Sequence, residues 1–136
     1  MNLVVSQAQG RVPVTIIQVD GDLDGSSYQA LIDKGSELCK AGACYMVVDL
    51  TKTPYMSSAG LVALHSLALM LRGEPPPDPQ SGWEAYRAIA RDQDKGQPQP
   101  LKLLNPQPKV GKVLTTTGFS AFLEIHTDLA SAIASF

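Results

Sequence analysis

The sequence predicts an α/β fold in which a mixed, mainly parallel sheet of four to five strands packs with about four helices. Three observations carry this. Short β-branched or apolar runs alternate with stretches whose apolar residues recur at helical spacing. Apolar residues make up 44% of the 136-residue chain and charged residues 18%, which is enough to bury a core and too little charge for a disordered chain. One run, Cys44 to Leu50, is apolar almost throughout, as a strand covered on both faces must be. At this length a single domain over residues 1–136 is expected.

The elements follow in order. Val12 to Val19 is β-branched and bounded by Gly10 and the Gly21/Gly25 cluster, which predicts a strand, with Leu3 to Val5 pairing beside it. Ser26-Ser27-Tyr28-Gln29 has the form of a capping box, and Tyr28, Leu31, Ile32, Leu38 and Cys39 then keep helical spacing up to Gly42. Cys44 to Leu50 is the central strand. Ser58 to Arg72 holds good helix formers and no proline. Leu61, Leu64, Ala68 and Leu71 form one stripe on this helix, and Val62, Leu69 and Met70 form a second, so it must be covered on more than one side.

Leu101 to Leu104 predicts a short strand. Pro108 through Gly118 predicts a helix with proline in its first turn and glycine past its end. Phe122 to Ile125 is expected as a last strand, and Leu129, Ala132, Ile133 and Phe136 as a terminal helix capped by Thr127 or Asp128.

Residues 73–100 interrupt this alternation. Eight of the ten prolines lie between Pro75 and Pro108, and residues 73–100 carry five acids against three bases, so the net charge of −2 resides there. Because the alternation continues on both sides, the segment is an insertion within one fold and not a boundary. Ser81-Gly82-Trp83-Glu84 suggests a short helix over 82–92, whose Trp83, Tyr86 and Ile89 could pack on the second stripe of the preceding helix.

Composition disfavours several function classes. Outside the insertion, eight acids balance eight bases without a Lys/Arg cluster, so there is no electrostatic footprint for nucleic acid or anionic lipid. The longest apolar stretch, Leu61 to Leu71, is too short to span a bilayer, and the N-terminus lacks a leader pattern, so a cytoplasmic protein is expected. Cys39 and Cys44 have no nearby partner to complete a zinc set and are expected to be buried free thiols. No phosphate loop, metal-ligand set or dinucleotide fingerprint occurs, so no cofactor is expected.

The most informative stretch runs from Val47 to Leu61. A buried strand passes through a short turn into a helix that begins Ser57-Ser58-Ala59-Gly60, and a helix start with its unpaired N–H groups is a favourable place for a phosphate. Val48-Asp49-Leu50, Tyr55-Met56, Ser57-Ser58, Ala59 and Gly60-Leu61 together resemble the pattern of the STAS domains typified by bacterial anti-sigma factor antagonists. Gly21-Asp22-Leu23-Asp24 resembles the same family's turn between its second strand and first helix. The resemblance covers most of residues 3–72 and, more loosely, 101–136.

That resemblance implies a protein that performs no chemistry itself. It implies an antagonist that binds an anti-sigma factor serine kinase, which uses ATP to phosphorylate Ser58, with Ser57 as second choice; a PP2C-like phosphatase would reverse the step. Asp22, Asp24, Ser57, Ser58 and Gly60 would form the partner-binding surface, and a homodimer is an open alternative. Two positions depart from the pattern: Ser57 stands where many antagonists have an acid, and Ala59 where others have serine. The Ser57 departure and the insertion favour a second reading, a non-phosphorylated STAS interaction or scaffold module of a signalling complex.

Bland roles compete at each position. Serine is a preferred helix cap, Asp22 and Asp24 beside Gly21 and Gly25 suit an ordinary turn, and Gly60 would permit close packing of helix on sheet. A serine hydrolase is disfavoured, because a nucleophile elbow needs glycine where Met56 stands. His65 and the His126/Asp128 pair are also poorly placed in sequence to complete a triad.

Overall fold

A computed structural model describes residues 2–73 and 100–136. Five strands form one sheet in the order β1-β2-β3-β4-β5: β1 (Asn2–Gln9), β2 (Pro13–Asp20), β3 (Met46–Asp49), β4 (Leu101–Leu104) and β5 (Ile125–His126). β1 pairs antiparallel with β2, and every later neighbour is parallel, as expected of the mixed, mainly parallel sheet. The short hairpin allows the antiparallel pair, whereas each parallel step requires a crossover.

The helices supply those crossovers. α1 (Tyr28–Lys40) joins β2 to β3, and α2 (Ser58–Leu71) follows β3. α3 (Pro108–Thr116) and the single turn α4 (Phe119–Phe122) join β4 to β5, and α5 (Leu129–Ala134) follows β5. The residues expected to form an insertion with a short helix over 82–92 lie outside the described residues, apart from Gly73 and Pro100 at its ends.

Alternation along the strands separates two cores. Across the sheet, Val5, Ile17, Val48, Leu103 and Ile125 align in one row. They pack on Leu31 and Ile32 of α1, on α2, on Val110 and Leu114 of α3 and on Phe119. The opposite row includes Ile16 and Val47, which join Val14 and Leu104 beneath Ala132 and Ile133 of α5. The continuous apolar run of β3 is thus explained by burial on both faces.

α2 is the most enclosed helix, with every residue from Gly60 to Leu69 buried. Its two apolar stripes require two partners. The sheet is one. α1 is the other, and Gly35 makes the approach possible, because a Cβ there would collide with the Leu67 side chain.

Three local expectations are corrected. The Ser26/Gln29 capping box does not form, because the Asp24 carboxylate takes the Ser26 N–H at 2.9 Å and the Ser26 hydroxyl at 2.6 Å, while Gln29 reaches forward to Asp33. The strand placed at Phe122 to Ile125 begins only at Ile125. Gly118, at φ +81°, starts a helical turn instead, closed by the Leu123 N–H on the Phe119 carbonyl at 2.9 Å. Cys44 is exposed, because the chain enters the sheet only at Met46, whereas Cys39 is half-buried and its thiol is raised by burial and then by the neighbouring Cys44. The Asp128 cap is as expected, accepting from Ser131 N–H at 3.0 Å.

One buried charge lies under α5. Lys102, 4% exposed, pairs with Glu124, and its ammonium sits 5.1 Å from the centre of the Phe136 ring. Nearby His126 has no hydrogen bond at Nε2 among the described residues, and Glu124 Oε1, 3.9 Å away, belongs to an exposed side chain. Burial, and secondarily the Lys102 charge, hold the His126 pKa below its ordinary value.

The packing and the half-buried imidazole make three outcomes testable. Gly35→Val should destabilise the protein by about 1–3 kcal/mol in urea titration through overpacking. Gly111→Ala, in α3 with open space at its Cβ, should stabilise it by about 0.5–1 kcal/mol. For His126, the depressed folded pKa means that its contribution to stability is complete above pH ~6.5 and is lost as pH falls below that. Unfolding free energy should therefore decline from pH 7 to pH 5 more steeply in the wild type than in His126→Gln.

Candidate functional site

The candidate site lies where β2 and β3 end. β2 leaves the sheet at Asp20, and Gly21 turns the chain at φ +125°, a conformation that favours glycine. The turn is then stitched to the loop after β3. Gly21 N–H donates to the Lys52 carbonyl, Leu23 N–H to Tyr55 and Ser57 N–H to Leu23, each at 3.0 Å. Leu23 and Met56 form a parallel bridge, so the two sequence motifs run side by side.

Side chains support the stitch from both directions. Thr53, fully buried, donates its hydroxyl to the Val19 carbonyl at 2.8 Å. Asp49 accepts the Thr51 N–H and hydroxyl, at 3.0 and 2.6 Å, and Gln107 donates to the Thr51 carbonyl at 2.9 Å. The Asp-Leu ending of β3 is therefore a turn former: Asp49 bends the chain while Leu50 fills the core.

Gly60 closes the arrangement. It is buried, and a Cβ there would stand 2.5 Å from Met56 Cγ and 3.0 Å from the Leu23 carbonyl oxygen. Its place in the site is the close seating of α2 against both motifs.

The serines divide the remaining tasks. Ser57 is the N-cap of α2, extended at φ −94° and ψ 179°, with its hydroxyl accepting from Ala59 N–H at 3.3 Å. Ser58 is the first helical residue and is exposed, and its hydroxyl has no hydrogen bond among the described residues. No acidic side chain lies in the first turn of α2, so the positive end of its dipole is not neutralised within the helix.

Asp22 and Asp24 are brought to this same end but differ in environment. Asp22 is exposed. Asp24 turns back on its own loop, and hydrogen bonds from the Ser26 hydroxyl and then the Ser26 N–H hold its carboxyl below the usual range. Ser27 completes the turn by donating to the Asp22 carbonyl at 2.8 Å.

One contributor, Thr53, was not foreseen in the sequence, and another, Tyr55, was named there only as part of the motif. Thr53 looked like an ordinary turn residue, and only the tertiary fold delivers it to Val19. Tyr55 stands 48% exposed two residues before the cap, an aromatic surface beside the serines. Its signal was an aromatic side chain in a polar loop. By contrast, His65 is fully buried and lies seven residues beyond Ser58, about 10 Å along the helix axis, so α2 does not place it beside the serine.

The matched motifs, their pairing and the helix start agree with a family model for the STAS domain, which matches residues 5–74. The chain belongs to the STAS domain family. No curated protein matches it. Among solved structures, it is similar to a Thermotoga maritima protein assigned as an anti-sigma factor antagonist, with 13% identity, 98% of this chain and 92% of that one covered, and a TM-score of 0.66. It is also similar to the anti-sigma factor antagonist SpoIIAA in its unphosphorylated form, at 16% identity, 98% and 95% coverage and TM-score 0.62. The phosphorylated form from Bacillus gives 16%, 98% and 98%, with TM-score 0.53. A sulfate transporter family protein from Wolinella succinogenes is similar at 16% identity, 90% and 83% coverage and TM-score 0.54. At these identities the likeness is one of fold. Among the described residues of this STAS domain, no helix is long and apolar enough to cross a membrane.

The close seating of Gly60 generates a prediction. Gly60→Ala should destabilise the domain by about 1–3 kcal/mol in urea titration, because the added methyl meets a backbone oxygen that cannot rotate away. Ser57→Ala should cost about 1 kcal/mol, the value of a lost cap.

Proposed function

We propose that this STAS domain is an anti-sigma factor antagonist of a partner-switching pathway. It binds an anti-sigma factor that is a serine kinase and is released when Ser58 is phosphorylated. The observation that carries the proposal is the position of Ser58: an exposed hydroxyl on the first residue of a helix buried from Gly60 to Leu69, beside the Asp22–Asp24 turn. The similarity of the fold to SpoIIAA, whose structure exists in phosphorylated and unphosphorylated forms, supports the same reading.

The switch follows from electrostatics. The kinase transfers the γ-phosphoryl group of ATP to Ser58 Oγ, the hydroxyl proton departs and ADP is released. The phosphate adds about −1.5 to −2 charges where the uncompensated end of α2 accommodates them, so the domain stays folded. The surface beside Asp22 becomes strongly negative and resists desolvation against the partner. A PP2C-like phosphatase hydrolyses the ester and restores the binding surface.

Ser57 fits the same scheme. Aspartate and serine are both good N-caps, so Ser57 keeps the capping role that an acid would perform while leaving out its charge. The departure from the family pattern thus preserves the helix start on which Ser58 is mounted.

Incubation with ATP and its cognate anti-sigma factor serine kinase, followed by mass spectrometry, tests the assignment. Phosphate should appear on the wild type and on Ser57→Ala and be absent from Ser58→Ala; undiminished phosphate in Ser58→Ala overturns the proposal. Ser58→Asp should weaken kinase binding at least about ten-fold, within the range of charge effects at protein interfaces. Unchanged affinity would instead favour a scaffold module.

A further inference from the structure

β1 is a free edge of the sheet: β2 lies on one side of it, and among the described residues no strand lies on the other. At the far edge, β5 is only two residues long and offers little to pair with. β1 has eight residues, and all keep step with β2, from Asn2 opposite Asp20 to Gln9 opposite Pro13, without a bulge. None of them is charged and none is proline. The devices that blunt a sheet edge, namely a lysine, a proline, a bulge or a short strand, are therefore missing from β1.

The hydrogen bonding of β2 fixes which groups of β1 face outward. Thr15 donates its N–H to the Tyr45 carbonyl at 3.0 Å, on the β3 side. Gln7, opposite Thr15, therefore belongs to a pair that exchanges no bonds between β1 and β2, and its N–H and carbonyl point away from β2. Alternation extends this to Leu3, Val5 and Gln9, so every second residue of β1 offers a donor and an acceptor along the free edge. Leu3 and Val5 pack their side chains on the main core, whereas Val4 between them points to the other face and is 52% exposed.

We propose that the first half of β1 pairs antiparallel with the same strand of a second copy, about a two-fold axis at Val4, so that two five-stranded sheets become continuous in a weak homodimer. The strand is complementary to itself in this register: Val4 meets Val4, Leu3 meets Val5 and Asn2 meets Ser6, and no charge opposes another. Moving the axis to Ser6 would instead set Leu3 against Gln9. Leu3 and Val5 of the two copies exchange their outward backbone bonds. Val4 then falls in the pair without bonds, where facing Cα atoms come within about 4.5 Å, so the exposed valine is covered by its own copy. A two-fold contact uses both edges and closes at two copies, whereas a head-to-tail contact would continue into a fibre. The short paired stretch places the contact among small, transient interfaces.

Sedimentation equilibrium of the full chain from about 10 µM to about 1 mM spans the range of weak association. The mean mass of the wild type should rise from that of a monomer toward that of a dimer and go no higher. Val4→Lys and Val4→Glu each set like charges against each other across the axis and should each weaken association at least about ten-fold, while an equimolar mixture of the two should restore it. Amide exchange on the ¹⁵N-labelled chain gives a second reading. The Leu3 and Val5 N–H groups should exchange more slowly as concentration rises, while those of Val4 and Ser6, already bonded to β2, should not change. A monomeric mass at about 1 mM, a mass that climbs beyond the dimer, or exchange at Leu3 and Val5 that ignores concentration each overturns the proposal. So does undiminished association of folded Val4→Lys, or a mixture that associates no better than either variant alone. Association is measured without kinase or ATP, so its failure leaves the Ser58 assignment standing.

Discussion

The constraint on which the rest depends is the pairing of Leu23 with the loop after β3. Two backbone hydrogen bonds, Leu23 to Tyr55 and Ser57 to Leu23, continue the parallel β2–β3 pairing past the end of both strands. Each contributes about 1 kcal/mol, and the full burial of Leu23 adds about 2 kcal/mol, so the junction is held by both polar and apolar terms. Gly60 permits α2 to settle directly on it. Moving either motif would therefore shift the helix start and the serines with it.

The same junction explains how the proposed surface switch could sit on the most buried helix. α2 is enclosed from Gly60 to Leu69, and Ser58 at its start is exposed. Such a helix is fixed by packing on α1 and the sheet, and its end inherits that rigidity. A charge added at Ser58, as proposed, would act on a surface already in position, without a loop that must first be ordered.

Much of this was legible in the sequence because it depends on periodicity and on turn chemistry. The apolar run ending in Asp49-Leu50 marked a central strand, and two apolar stripes marked a helix needing two partners. Both properties are carried by residue type at fixed spacing. What was not legible required competition between groups. Ser26 and Gln29 had the spacing of a capping box, but Asp24 is a stronger acceptor two residues away and took the Ser26 donors first. Phe122 to Ile125 had strand composition, yet Gly118 had already turned the chain into α4. Thr53 owes its importance to tertiary position alone, which brings its hydroxyl to a backbone carbonyl of β2.

The adjacent serines show how a switch can be separated from the structure that carries it. If one residue both capped α2 and received phosphate, modification would replace the capping hydroxyl and alter the helix start along with the surface charge. Here Ser57 holds Ala59 N–H and Ser58 makes no such bond. Under the proposed phosphorylation, Ser58 would add charge at the positive end of a helix whose cap is already in place, where the macrodipole favours an anion. The consequence would fall on the proposed partner surface around Asp22, not on the fold. That division requires two adjacent small polar residues in this order, the first extended and the second helical, and the pairing of Leu23 with Ser57 N–H fixes where the change from one conformation to the other occurs.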